Sequence, residues 1–197
     1  MIGGPNGSGK STLIKLLRDA GADLGLHFNA DENAKTLTGE TRDVSQRAQA
    51  MVRQSRDEAL RQGFDYSWET VMSHPSHVEH LQEAKMRGYK VRMIYVALTS
   101  PYANMARVEE RVQDGGHDVP LDAIRRRYYK SLENLSAAIV ISDEAEIYDN
   151  SLAYEPYRPV ASWDGGKLRL PLRPMPGWFA SACSDFEGAG LLDRRQN

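Results

Sequence analysis

The amino-acid sequence predicts an α/β fold, with a mostly parallel sheet and helices on both of its faces. Apolar runs of strand length alternate with segments of helical period, which is the order of elements that produces parallel sheets. A glycine-rich loop at residues 4–11 leads directly into one of these helical segments. Hydrophobic residues make up 41% and charged residues 26% of the 197 residues, a balance typical of a folded globular chain.

Strands and helices alternate through the first half of the chain. The predicted strands are 24–28 and 64–68, and the predicted helices are 12–20, 43–61 and 74–87. Leu13, Leu16 and Leu17 share one face of the first helix, and the other two helices end before a glycine. Only Met1-Ile2-Gly3 precede the glycine-rich loop, although such a loop normally follows a buried strand. Either this strand is vestigial or, as we expect, the full-length protein has more apolar residues before Gly3.

The second half continues the same alternation. Residues 91–98 (VRMIYVAL) predict a buried central strand, and 146–148 predict another. Two helices are predicted, at 101–113 with a proline in its first turn and at 121–138.

Beyond residue 151 the composition changes. Residues 160–162 and 167–170 predict an antiparallel hairpin, and residues after 173 predict a loosely ordered tail. We therefore predict one domain over 1–151, with 152–197 as an appended segment rather than a second domain.

The glycine-rich loop matches the pattern G-x-x-x-x-G-K-[ST] in full, which predicts the three-layer sandwich of the P-loop NTPases. In such a loop, backbone N–H groups point at phosphate oxygens, and the following helix adds its positive end. Lys10 can reach the β- and γ-phosphates of ATP, and the Ser11 hydroxyl suits Mg²⁺. The predicted nucleotide contacts are Gly4, Pro5, Asn6, Gly7, Ser8, Gly9, Lys10, Ser11 and Thr12.

Carboxylates follow two predicted strands, where a transfer reaction would need them. Asp31 follows strand 24–28, at the sheet edge that faces the phosphates, and can accept a proton from a hydroxyl acceptor. The alternative is that Asp31 or Glu32 caps the next helix. Glu69 and Thr70 are candidate acceptor-binding residues, and Glu69 can also orient Asp31 or contact Mg²⁺ through water. The alternative is that Glu69 is only a solvated residue at the end of its strand.

Arginines on two consecutive helices predict a lid. Arg107 and Arg111 lie four residues apart, and Arg125-Arg126-Arg127 follow the Gly115-Gly116 loop. Closure of such a lid would exclude water and stabilise the transferring charge, and Arg107 and Arg127 are candidate substrate contacts. His117 either binds substrate or anchors its loop. Solvated ion pairs are the alternative for each arginine.

The sequence also argues against several classes of protein. A net charge of −2 argues against nucleic acid as a partner, and no apolar run is long enough to span a membrane. No N-K-x-D segment or Walker B run is present, which argues against a GTPase or a motor ATPase. The lone Cys183 excludes an internal disulfide, and no secretion signal is visible, so we expect a cytoplasmic protein. Asn150, after the last strand, either contacts the adenine or forms a turn.

Six segments together resemble the zeta-toxin family of P-loop kinases, in its small, stand-alone bacterial branch. The resemblance covers residues 3–151, and its most specific part runs from Arg107 to Leu135. The segments are GPNGSGKST, NADE, FDYSWETVMS, GYKVRMIYVALTSP, RVEERVQDGGHDVPLDAIRRRYYKSLENL and IYDNS.

This resemblance implies an ATP- and Mg²⁺-dependent kinase that phosphorylates an alcohol group of a small molecule, with UDP-N-acetylglucosamine as the acceptor known in the family. It implies that Asp31 is the base, that Glu69 supports the acceptor, and that Arg111 and Arg126 contact the phosphates. The chain lacks visible antitoxin helices, so an antitoxin partner is not indicated. The alternative function is an ATP-binding regulatory or interaction module with little transfer activity.

Overall fold

The computed structural model describes residues 1–34, 36–39, 41–116, 118–171 and 174–194. The helices are α1 (Lys10–Asp19), α2 (Ala30–Ala34), α3 (Thr41–Gln62), α4 (Ser76–Met86), α5 (Pro101–Gln113), α6 (Leu121–Glu133), α7 (Leu135–Ile141) and α8 (Ala180–Gly188). The strands are β1 (Ile2–Gly3), β2 (Leu26–Phe28), β3 (Tyr66–Thr70), β4 (Arg92–Ala97), β5 (Glu144–Asp149), β6 (Arg158–Trp163), β7 (Leu168–Leu170) and β8 (Leu192–Arg194).

These elements divide into two compact units. The first comprises Met1–Ile2 and Ser11–Thr70, and the second comprises Gly3–Lys10 and Val71–Asn197. The predicted boundary at residue 151 stays a prediction. No described helix combines the length and the apolar composition that a bilayer crossing requires.

The first unit contains a parallel pair of strands with a long helix packed on it. β2 and β3 pair in register, with Phe28 opposite Trp68. α3 contacts both strands through its apolar face, which includes the buried Ala48, Val52 and Ala59. Because β2 and β3 are parallel, the residues that follow them emerge at the same edge, and this geometry positions the acidic part of the candidate site.

The second unit contains the central strand and the C-terminal hairpin. β4 pairs in parallel with β5, so that Ala97 lies opposite Asp149. β6 pairs antiparallel with β5 and with β7, and β8 is parallel to β7. Tyr95 and Val96 of β4 are completely buried, as expected for an apolar strand covered on both faces.

The predicted fold is confirmed: strands and helices alternate, the sheet is mixed with parallel pairs, and residues 158–170 form the antiparallel hairpin. Two details are wrong. The helix predicted over 121–138 is interrupted at Asn134, whose Nδ2 donates to the carbonyl oxygens of Lys130 and Met72. A short helix, α2, also follows β2, where none was predicted.

The prediction of a loosely ordered tail is wrong for residues 174–194. This segment forms α8 and β8, and Phe179, Cys183 and Phe186 are buried. The Phe186 ring lies 5.6 Å from the Trp163 ring, centroid to centroid. The many prolines suggested disorder, but these apolar side chains bury enough surface to order the segment.

Candidate functional site

The glycine-rich loop needs glycine where neighbouring strands approach its backbone. Gly4 has a φ of +144°, and a Cβ at this position would lie 2.0 Å from the carbonyl oxygen of Val96. Gly9 has a φ of +100°, and a Cβ there would lie 2.4 Å from the Asn150 Nδ2. Side chains are therefore excluded at both positions by conformation and by space.

Three side chains of the second unit hold the carbonyl groups of this loop. Asn104 Nδ2 donates to the Asn6 carbonyl oxygen, and Asn150 Nδ2 donates to that of Ser8 at 2.9 Å. Tyr157 Oη donates to the Gly9 carbonyl oxygen at 3.0 Å. The N–H and C=O of a peptide point in opposite directions, so this anchoring turns the N–H groups away from the scaffold, as in anion-binding backbone nests.

The loop fits a polyphosphate. Lys10 is buried, and its Nζ donates to the Pro5 carbonyl oxygen at 2.9 Å, so its charge is held against the loop. Within the described part of the chain, the Ser8 Oγ and the Asn6 Oδ1 are buried and have no hydrogen-bond partner. A buried hydroxyl without a partner is costly, and a phosphate oxygen would satisfy it.

A hydrogen-bonded network in the first unit surrounds Glu69. Its two carboxylate oxygens accept from Ser11 Oγ at 3.1 and 3.0 Å, and one of them also accepts from Asn29 Nδ2 at 2.9 Å. The Asn29 Oδ1 in turn accepts from the backbone N–H of Asp31 at 2.8 Å. The helix cap is therefore Asn29, and the exposed Asp31 side chain is not used for capping. We call Ser11, Asn29 and Glu69 the Glu69 network.

The Glu69 network also fits Mg²⁺. The ion prefers oxygen ligands and, in nucleotide sites, takes one or two protein ligands together with phosphate oxygens and water. The Ser11 hydroxyl and the Glu69 carboxylate offer such oxygens side by side. Among the described residues, no group of three or more His, Cys, Asp or Glu side chains could hold a metal, so Mg²⁺ would take its remaining ligands from phosphate oxygens and water.

The predicted arginines occupy different environments. Arg107 Nη2 donates to the Asn150 carbonyl oxygen at 2.7 Å, behind the glycine-rich loop. Arg111 is half-buried, and its carbonyl oxygen accepts from the Gly116 N–H at 2.8 Å. Arg126 is exposed, and its Nη1 lies 3.4 Å from Asp122 Oδ2. Burial, and then the charge of Arg126, lower the pKa of the half-buried Arg127.

The remaining predicted residues are placed as follows. Thr70 is buried at the end of β3, and Thr12 is exposed in α1. Asn150 uses its side chain to hold the glycine-rich loop and to accept from the Tyr157 N–H at 3.3 Å. His117 lies outside the described residues.

Sequence reasoning missed two residues that anchor the loop. Asn104 is a fully buried polar residue on the face of α5 that also carries the buried Pro101 and Val108. A polar residue within an apolar helical stripe was a usable signal. Tyr157 lies in an irregular segment and has a φ of +53°, and nothing in the local sequence indicates either feature.

The family model of the Zeta toxin proteins matches residues 1–154. The chain belongs to the Zeta toxin family. An uncharacterized protein of Haemophilus influenzae is 28% identical over 130 residues, which are 64% of this chain and 88% of that protein. Family and fold together support a kinase-like function that uses ATP.

Two solved structures share the fold of this Zeta toxin family member. One comes from a study of the PezAT chromosomal toxin-antitoxin system of Streptococcus pneumoniae, with a TM-score of 0.57 and 16% identity over 75% of this chain. The other is AvrRxo1-ORF1:-ORF2 with ATP, with a TM-score of 0.63 and 18% identity over 86% of this chain. The chain spans only 65% and 59% of these two solved chains.

Proposed function

We propose that this protein is an ATP- and Mg²⁺-dependent kinase that transfers the γ-phosphate to a hydroxyl group of a small molecule. The observation that carries the proposal is the Glu69 network, because it connects the serine of the phosphate-binding motif with the segment that holds Asp31. The network holds the backbone of Asp31 and leaves its carboxylate exposed, which supports a role of this carboxylate in proton transfer.

Each residue has a defined task in this proposal. The loop N–H groups and Lys10 bind the phosphates, and Lys10 stabilises the charge that develops on the β- and γ-phosphate oxygens. When bound, Mg²⁺ neutralises part of the same charge. Asp31 accepts the proton of the acceptor hydroxyl, whose oxygen forms the new bond to phosphorus as the bond to ADP breaks. Glu69 holds Ser11 and Asn29 in position.

The acceptor is proposed only as a class. The family resemblance implies UDP-N-acetylglucosamine, and a related sugar nucleotide or another hydroxyl-bearing metabolite fits the same chemistry. The lid roles of Arg111 and Arg126, and the substrate contacts of Arg107, Thr70 and Arg127, belong to this proposal. We also propose that the protein acts in the cytoplasm, where ATP and such metabolites are available.

A transfer assay tests the proposal directly. We expect the protein, incubated with γ-labelled ATP, Mg²⁺ and a metabolite extract, to produce a labelled small molecule that mass spectrometry identifies. UDP-N-acetylglucosamine is tested alone in parallel. Hydrolysis to labelled inorganic phosphate, with no labelled acceptor in any extract, would contradict the kinase function.

The Lys10→Ala variant is expected to reduce formation of the labelled product by at least about a hundredfold, because a charge aimed at the transferring phosphate is lost. Lys15→Ala is the matched control, since Lys15 is exposed on the same helix α1. Product formation that falls equally in both variants would show that Lys10 has no specific role. Folding of each variant is checked by circular dichroism.

The Tyr157→Phe variant is expected to bind ATP up to about fivefold more weakly, because a loop that has lost one hydrogen bond, worth about 1 kcal/mol, must be ordered again when ATP binds. Tyr154→Phe, at a highly exposed position nearby, is expected to keep the original affinity. Calorimetric titration with an ATP analogue that resists hydrolysis measures both. Equal affinities in the two variants would refute an anchoring role of the Tyr157 hydroxyl.

A further inference from the structure

A cavity lies wholly within the second unit, between α6 and the segment that leads into α4. Its volume is about 400 Å³, within the range of small-molecule sites. The lining residues are Ser73, His74, Pro75, Arg126, Arg127, Lys130, Glu133 and Asn134. Three of them are permanent cations and only one is an acid, so the cavity favours an anionic ligand.

The acids near this cavity form ion pairs with two of its three cations, and Asp122 acts on the third, Arg127, only from beyond ion-pair distance. Lys130 Nζ donates to Glu133 Oε2 at 2.6 Å, and Arg126 lies 3.4 Å from Asp122. No hydrogen bond or ion pair connects the Arg127 guanidinium to any described residue. Arg127 is also half-buried beside the like charge of Arg126, an arrangement that costs free energy and that a bound anion would relieve.

The wall opposite α6 is held in a strained conformation. Met72, directly before the lining residue Ser73, is fully buried and has a φ of +57°, which is unusual for a residue with a side chain. Asn134 Nδ2 donates to the Met72 carbonyl oxygen at 3.0 Å and so ties this wall to the end of α6. Strain that surrounding contacts maintain is typical of ligand sites.

We propose that this cavity binds the phosphate group of a small phosphorylated metabolite. Two guanidinium groups match the several oxygens of a phosphate better than those of a single carboxylate, and the Ser73 hydroxyl and the Lys130 ammonium add further donors. The proposal goes beyond the kinase function, since the phosphate group bound here is not the group that is transferred. The metabolite is either the phosphate acceptor itself or a separate ligand.

The test measures phosphate binding through the NMR signal of the Arg127 side chain, which lines the cavity. Glycerol phosphate is titrated into ¹⁵N-labelled full-length protein, and the Arg127 Nε–Hε signal, assigned with the Arg127→Gln variant, is followed by NMR. We expect a saturable shift at millimolar concentrations that glycerol, the same skeleton without phosphate, does not produce. A signal that stays unmoved, or that moves equally with glycerol, would overturn the proposal.

Two variants of α6 that remove the same charge show whether glycerol phosphate binds in the cavity or is only attracted by the positive charge of the helix. Arg126→Gln, which removes a lining residue, is expected to weaken glycerol phosphate binding about tenfold at the Arg127 signal. Arg125→Gln removes the same charge from an exposed position that does not line the cavity, and is expected to leave the dissociation constant unchanged. If both variants bound glycerol phosphate equally weakly, net charge alone would explain the binding, and the proposed site would be contradicted.

A competition assay with the unsubstituted protein distinguishes the two sources of the phosphate. If the metabolite is the acceptor, saturating glycerol phosphate lowers labelled product formation at low extract concentration, and more extract restores it. If the metabolite is a separate ligand, glycerol phosphate does not change how product formation depends on extract concentration. Because binding is measured without ATP, a kinase that failed the transfer assay would leave the binding result intact.

Discussion

Asp31→Asn is expected to lower phosphate transfer by about a thousandfold and to leave ATP affinity within about twofold. Asparagine has the same size but cannot accept the proton of the acceptor hydroxyl. The bond from the residue 31 N–H to the Asn29 Oδ1 uses only backbone atoms of residue 31, so the variant retains the start of α2. The side chain is exposed, and stability is expected to change by less than about 0.5 kcal/mol.

The neighbouring acid provides the control for Asp31. Glu32 is also exposed in α2, and Glu32→Gln removes the same charge without removing the proposed base. Single-turnover transfer and calorimetric ATP binding are measured for both variants. Undiminished transfer by Asp31→Asn would show that Asp31 is not the base. ATP binding without transfer in the unsubstituted protein would instead favour a regulatory ATP-binding module.

The elements that the sequence predicted best are those fixed by local rules. Helix α5 begins at Pro101 and ends at Gln113 as predicted, because a proline in the first turn and a glycine pair beyond the last mark its limits. β4 was predictable because an uninterrupted apolar run suits a strand buried on both faces. The proximity of Asn29 to Glu69 follows from parallel pairing, since both residues follow or end neighbouring parallel strands.

The features that sequence reasoning missed depend on partners distant in the chain. Asn134 interrupts a segment of good helical period, and one of its two bonds reaches back to Met72. Tyr157 donates a hydrogen bond to the carbonyl of Gly9, which lies 148 residues earlier in the sequence. No window of local sequence contains both partners of such a bond, so neither periodicity nor turn propensity could predict it.

The C-terminal segment was mispredicted for a related reason. A high content of proline indicates that regular elements are short, but it does not measure how much apolar surface the segment can bury. Trp178 shows the difference, because its Nε1 donates to Asp149 Oδ2 at 3.0 Å and its ring packs against Tyr95 and Phe179. These contacts connect a segment beyond the family match with the strand that precedes Asn150.

Gly4→Ala is expected to destabilise the protein by at least about 3 kcal/mol and to abolish measurable ATP binding. The added methyl group would lie 2.0 Å from the Val96 carbonyl oxygen, and a φ of +144° is outside the conformations that alanine readily adopts. The obstacle is the backbone of a buried strand rather than a flexible side chain. The loop must therefore move, and with it the N–H groups that would hold the phosphates.

Gly88→Ala is the control for Gly4→Ala, because it introduces the strain of a positive φ without a steric clash. Gly88 has a φ of +84°, but a Cβ there would meet nothing within 4 Å, so its substitution costs only about 1–2 kcal/mol of backbone strain. Urea unfolding and calorimetric ATP titration compare the two variants. If Gly4→Ala lost no more stability than Gly88→Ala and still bound ATP, close packing of the loop against β4 would not be a requirement for nucleotide binding. A larger loss at Gly4, accompanied by loss of binding, would show that β4 fixes the loop in its binding conformation.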